Sequence, residues 1–151
     1  MLWVRVQSVE HNVIICAIYH PPKPVYHTVD LLCHIDSSLE TISRDLSSAH
    51  VVLAGDFNSL SDSDVVSRTG LISLVKKPTR GASCLDRIYV NDLCYENVRV
   101  VTPTVKSDHC AIIAYSDDVP RCNINKRRFK RRFRKRTPVQ HDRCMSTLCV
   151  P

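Results

Sequence analysis

The sequence predicts an α/β domain, a mixed β-sheet with flanking helices, followed by a basic tail. Three observations carry this. Short, β-branched apolar runs of strand length recur between Leu2 and Tyr115. One longer segment, residues 28–47, instead repeats its apolar residues at helical spacing. Charge is divided sharply: residues 1–120 hold 10 Lys/Arg against 14 Asp/Glu, whereas residues 121–151 hold 11 against 1. The net charge of +6 and the pI near 9.0 therefore describe the tail rather than the body. A chain of 151 residues can bury one core and carry an appendage, but hardly two full domains. Residues 1–118 thus read as the domain, and 119–151 as a disordered basic tail or linker.

Leu2–Gln7 alternates as a half-buried strand does, and Glu10-His11-Asn12 reads as the turn into a second strand, Val13–Tyr19. Pro21, Pro22 and Pro24 then exclude regular structure. Thr28 is the expected N-cap of a helix reaching Ser47, with Leu31, Leu32, Ile35, Leu39, Ile42 and Leu46 on one face. His50–Ala54 is a short, buried-type strand. Strand, helix, strand predicts a right-handed crossover that sets Val13–Ile18 parallel to Val51–Ala54. Ser61–Arg68 reads as one short helix stopped by Gly70. Leu71–Val75, Arg87–Val90, Val98–Val101 and Cys110–Tyr115 are expected as the remaining strands of the mixed sheet.

Eight cysteines invite a disulfide or zinc reading, but no C-x-x-C pair exists and several fall inside apolar runs. Cys122, His141, Cys144 and Cys149 make only a weak zinc set, for want of a second close pair. Met1–Gln7 is too short an apolar stretch for a signal peptide. No apolar run approaches the roughly 18 residues of a membrane span. These features predict no membrane association and a reducing, intracellular compartment.

The polar residues at the strand ends are the informative ones. Tyr19 and Asp56 follow the C-terminal ends of their strands, while Asp86 and Asp108-His109 precede the N-terminal ends of theirs. If the later strands run antiparallel to the earlier two, these positions share one edge of the sheet. Taken singly, each has a plain alternative: an Asp-x-Asn after a strand is often only a turn, and Asp86 could pair with Arg87 or Lys106. Their joint occurrence in this order is the signal.

Ile18-Tyr19-His20-Pro21-Pro22, Gly55-Asp56-Phe57-Asn58, Leu85-Asp86-Arg87-Ile88 and Ser107-Asp108-His109 together resemble the endonuclease/exonuclease/phosphatase superfamily, over roughly residues 4–116. Within it, the endonuclease domains of non-long-terminal-repeat retrotransposon proteins are the most similar. The resemblance implies part of a four-layer α/β sandwich and hydrolysis of DNA phosphodiester bonds assisted by Mg2+ or Mn2+. It implies that Asp56 orients and deprotonates the water, and that Asn58 donates a hydrogen bond near the nucleophile or phosphate. Asp108 would be a metal ligand, direct or through water. His109 would contact the scissile phosphate while Asp86 holds its ring, and Tyr19 would point its hydroxyl at a phosphate oxygen.

Complete members also carry an upstream half with an Asn motif and a metal-binding Glu. Glu10 and Glu40 stand at the wrong places in the order to replace that Glu. The expectation is a truncated domain lacking its N-terminal half, inactive as a fragment, whose exposed sheet needs that half or another protein to cover it. Two alternatives stay open: a non-catalytic nucleic-acid-binding remnant, and a phosphatase-type member. In the tail, Lys126, Arg127, Arg128, Lys130, Arg131, Arg132, Arg134, Lys135 and Arg136 surround Phe129 and Phe133. That composition suits contacts with the DNA phosphate backbone, base stacking, or a nuclear import signal, hence an expected nuclear location.

Overall fold

Apolar–polar alternation along Leu2–Gln7 (β1) and Asn12–Tyr19 (β2) produces an antiparallel pair, with Val4 opposite Ile15 and Leu2 opposite Ala17. The computed structural model describes residues 1–7 and 12–116, all within the unit Met1–Val119. Residues 8–11 and the basic segment from 117 onward, with its predicted DNA contacts, lie outside the described residues.

The proline-rich stretch after β2 feeds a helix, α1, at Thr28–Asp45. His27, not Thr28, occupies its N-cap position, and its side chain makes no capping bond. The helix stops short of Ser47, where the Leu46 N–H turns back to the Ile42 carbonyl at 2.7 Å. The crossover delivers β3, His50–Asp56, parallel to β2, as the strand–helix–strand pattern predicts. Helix α2, Asp62–Thr69, is capped by Ser61, whose Oγ accepts the Asp64 N–H, and ends on left-handed Gly70.

The expected strand at Leu71–Val75 shrinks to two residues, β4 at Ile72–Ser73. The ends of that run, Leu71 and Val75, are pulled into the core instead. β5, Asp86–Val90, runs antiparallel to β3 and completes a five-stranded sheet in the order β1-β2-β3-β5-β4. The last two strands do not join it. β6 (Asn97–Val101) and β7 (Ala111–Tyr115) pair with each other in a second sheet. The reason is a second apolar face: Val52, Ala54, Ile88 and Val90 point away from the helices and are covered by Val98, Val100, Ile112 and Ala114.

The opposite face packs on the helices. Cys16, Ile18, Leu53 and Tyr89 meet Leu32, Ile35 and Val65, and each buried aliphatic side chain contributes about 1.5–3 kcal/mol by leaving water. Burial pushes the Cys16 thiol up to about 11, so it is an inert packing group. On the second face the β6–β7 cover does not extend over β1, where Leu2, Val4 and Val6 are exposed, as is Ile15 on β2. Among the described residues no helix is long and apolar enough to cross a membrane.

One glycine is dictated by geometry. At Gly55 the backbone adopts φ +152°, and a Cβ there would lie 1.8 Å from the Ile18 carbonyl oxygen. Through this contact β2 and β3 approach one residue before Tyr19 and Asp56. Gly55→Ala is expected to cost about 3 kcal/mol or more, by overpacking against a backbone that cannot yield. The urea midpoint of the purified variant checks this.

Candidate active site

Strand register builds the site. Tyr19, the last residue of β2, is paired with Asp56, the last of β3, and Asp56 is paired with Asp86, the first of β5. In-register partners project to the same face, so the three side chains share one face at one edge. It is the face that β6–β7 cover elsewhere, and a cleft of about 230 Å³ opens there, lined by Asp56, Asp86, Ile88, Cys110 and Ile112 among others.

The segment before β7 supplies the rest. The Ser107 Oγ accepts the His109 N–H at 3.1 Å, a local turn that orients the residue. The His109 Nδ1 then lies 2.8 Å from Asp86 Oδ2, both groups being partly buried. With its proton on Nδ1, the ring donates to that carboxylate and leaves Nε2 for a substrate. Asp108 lies 2.6 Å from Arg80 in an exposed ion pair. Such a pair stabilises the fold by no more than about 1 kcal/mol, but it holds the Arg80 guanidinium on Asp108, the residue before His109.

Asn58 has φ 42°, a left-handed conformation that Asn tolerates better than most residues. Its N–H donates to Asp56 Oδ1 at 3.1 Å, which orients that carboxylate. Its Nδ2 donates to the His20 carbonyl at 2.9 Å, which commits one of the two amide protons. The structure thus joins Tyr19, Asp56, Asn58, Asp86 and His109 through register or direct hydrogen bonds. Asp108 is tied instead to Arg80.

Three supporting residues had no role in the sequence reading, although His20 stands in one of its motifs. Thr79 is fully buried; its Oγ1 accepts both the Leu85 and Asp86 N–H groups at 3.0 Å, and its carbonyl accepts the Cys110 N–H at 2.7 Å. It therefore fixes the backbone on both sides of the Asp86–His109 pair. Arg80 begins the tight turn after it, closed by the Ser83 N–H on the Arg80 carbonyl. His20, also buried, receives the hydrogen bond from Asn58, sends its own N–H to the Asp56 carbonyl and bonds Tyr26 through Nδ1 at 2.9 Å. The run Thr79-Arg80-Gly81 was a legible turn signal, but nothing in it announced a polar hub.

Burial lowers the His20 imidazole below its ordinary value, although the nearby Asp56 charge pulls upward. The folded state therefore binds fewer protons here than the unfolded one. The contribution is fully present above the unfolded value of about 6.5 and is lost as pH falls.

A model of the endonuclease/exonuclease/phosphatase family matches residues 3–109. Among solved structures, the endonuclease domain of TRAS1, described as a telomere-specific non-LTR retrotransposon, aligns with a TM-score of 0.57 at 16% identity. The alignment covers 77% of this chain and 63% of that one, and at such identity the likeness concerns the fold. No curated protein matches.

Two outcomes are expected. Thr79→Val, which keeps shape but leaves two partly buried N–H groups without this acceptor, should cost about 1–3 kcal/mol in urea denaturation. His20→Gln should flatten the loss of stability between pH 7 and pH 5 relative to the parent chain, as read from urea midpoints at each pH.

Proposed function

The chain belongs to the endonuclease/exonuclease/phosphatase family, and we propose that this edge of its sheet serves hydrolysis of phosphodiester bonds in DNA. The observation that carries the reading is the Asp86–His109 pair at 2.8 Å, beside an Asp56 held in register with Asp86. A carboxylate-oriented imidazole next to a second carboxylate is an acid–base set suited to attack by water on phosphorus.

In this reading Asp56, oriented by the Asn58 N–H, takes the proton of the attacking water. His109, held at Nδ1 by Asp86, presents Nε2 to the phosphate. Tyr19, exposed at the end of β2, donates its hydroxyl to a phosphoryl oxygen, and the second amide proton of Asn58 does the same. Arg80 adds positive charge at the same edge. The donor set also suits a hard divalent ion. Magnesium takes one or two carboxylates and completes its shell with water and phosphate oxygen, and Asp56 and Asp86 are neighbours across β3–β5. Asp108 is the weaker donor, because the Arg80 guanidinium competes for its oxygens. When bound, magnesium or manganese supplies charge neutralisation on the phosphoryl group.

DNA is favoured over a phosphomonoester by the charge placement. The nine cations among residues 126–136 suit a long polyanion, and their contacts would weaken steeply with salt. The same segment supports a nuclear location and also the second reading, in which the chain retains nucleic acid without cutting it. The exposed apolar stripe of Leu2, Val4, Val6 and Ile15 is the place where a further sheet layer, from this protein or a partner, would pack.

If the chain nicks supercoiled plasmid in magnesium, this reading requires that chelator stop the nicking and that Asp56→Ala and His109→Ala each reduce it roughly 100-fold or more. Nicking indifferent to both substitutions would sink it. The same assay tests the expectation of an inactive chain. If the parent chain does not nick, a short DNA duplex should still perturb the His109 ring resonances in magnesium. DNA retention that survives chelator and vanishes on deletion of residues 126–136 identifies the second reading. Turnover of an inositol or lipid phosphate, with DNA untouched, identifies the phosphatase alternative.

A further inference from the structure

At the other end of β3 a different set of donors converges. His50 opens the strand, and the segment after β5 carries Asp92 and Cys94. His50 Nδ1 lies 2.5 Å from Asp92 Oδ2, and the Cys94 N–H donates to Asp92 Oδ1 at 2.9 Å. One nitrogen, one oxygen and one sulfur thereby fall within 4.8 Å of one another. Among the described residues this is the single group of three such donors. The candidate catalytic edge does not form one.

The backbone beneath is fixed independently. Asn91 accepts the Val51 N–H at 2.7 Å and donates to the Ala49 carbonyl at 2.9 Å, clasping both sides of His50. His50 is thus held by strand register and by the amide clasp, while Asp92 and Cys94 sit in the turn after β5, tied together by the Cys94 N–H on Asp92. His50 and Asp92 are half-buried while Cys94 is exposed, so an ion arriving from solvent has access.

We propose that His50, Asp92 and Cys94 form a binding site for a zinc-class cation, with water completing the coordination. Imidazole and thiolate select zinc over magnesium, whose preference is for oxygen. Three protein ligands and one solvent position form a recurrent zinc arrangement. Around a tetrahedral ion with ligand bonds of about 2.0–2.3 Å, donor atoms stand about 3.3–3.8 Å apart. The His50–Asp92 pair at 2.5 Å is closer than this and must open, and all three donors already lie within 4.8 Å of one another. The ion takes the place of the proton shared by those two groups, and the Cys94 thiol releases its own. The bound ion would join the start of β3 to the segment after β5, at the edge opposite Asp56. This site stands apart from the hydrolytic reading and does not depend on it.

The test uses the full-length chain, titrated with Zn2+ against a chromophoric chelator. Competitive binding at this site should weaken by at least the roughly 10–100-fold that loss of even an outer-shell partner costs, both in Cys94→Ser and in His50→Ala. Because Cys94 is exposed, its replacement leaves the core intact. A chain carrying Cys122→Ser, Cys144→Ser and Cys149→Ser should retain the site. Zinc should raise the melting temperature of the parent chain and not that of Cys94→Ser. Absence of zinc retention by the parent, titration unchanged in Cys94→Ser, or binding lost with the three tail substitutions would each overturn the proposal.

Discussion

The close passage of β3 against β2 at Gly55 is the constraint on which the rest of the molecule depends. A bare α-carbon lets the strand lie against the Ile18 carbonyl, and the next pair in the ladder is Tyr19 with Asp56. Because β5 is antiparallel to β3, the same rung continues to Asp86. Three polar residues far apart in the chain become neighbours through backbone pairing alone. A slip of one residue would turn the whole rung toward the helices. The chemistry of the edge is therefore a property of sheet register before it is a property of any side chain.

Around that rung the supporting groups are buried and polar, which is costly unless every donor is satisfied. Thr79 Oγ1 accepts two backbone N–H groups, and the His20 ring bonds the Tyr26 hydroxyl while its backbone joins Asn58 and Asp56. They act through Asp86, Cys110, Asn58 and Asp56. The acidic and basic groups are also sorted: Asp86 holds an imidazole, Asp108 a guanidinium, and Asp56 the backbone N–H of Asn58. This division keeps three carboxylates near one edge without leaving their charge wholly uncompensated.

Much of this was legible in the residues. The helix from Thr28 and the strands at Leu2–Gln7 and His50 stand out because their apolar spacing is regular and the proline run separates them. The gathering of Tyr19, Asp56, Asp86 and His109 was legible as strand-end polar groups in a fixed order. The crossover pairing of β2 with β3 could be read as well, but the pairing of the later strands could not. Val98–Val101 and Cys110–Tyr115 look like any other strands, and only the second apolar face on β3 and β5 tells them to stack rather than extend the sheet. Leu71–Val75 has a strand's composition, yet the burial of its ends leaves a ladder of two residues. Likewise Thr79, and the convergence of His50 with Asp92 and Cys94, arise from contacts across 6 to 44 positions in the chain, which no local spacing encodes.

The Asn91 side chain has a consequence for the ageing of the protein. It stands in for a peptide unit past the end of the β5 ladder, offering an oxygen to one strand and a hydrogen to the backbone just before it. Deamidation would exchange that hydrogen for an oxygen facing the Ala49 carbonyl, converting attraction into lone-pair repulsion within a partly buried corner. One spontaneous chemical event, invisible in size and fold propensity, would thus loosen the start of the central strand.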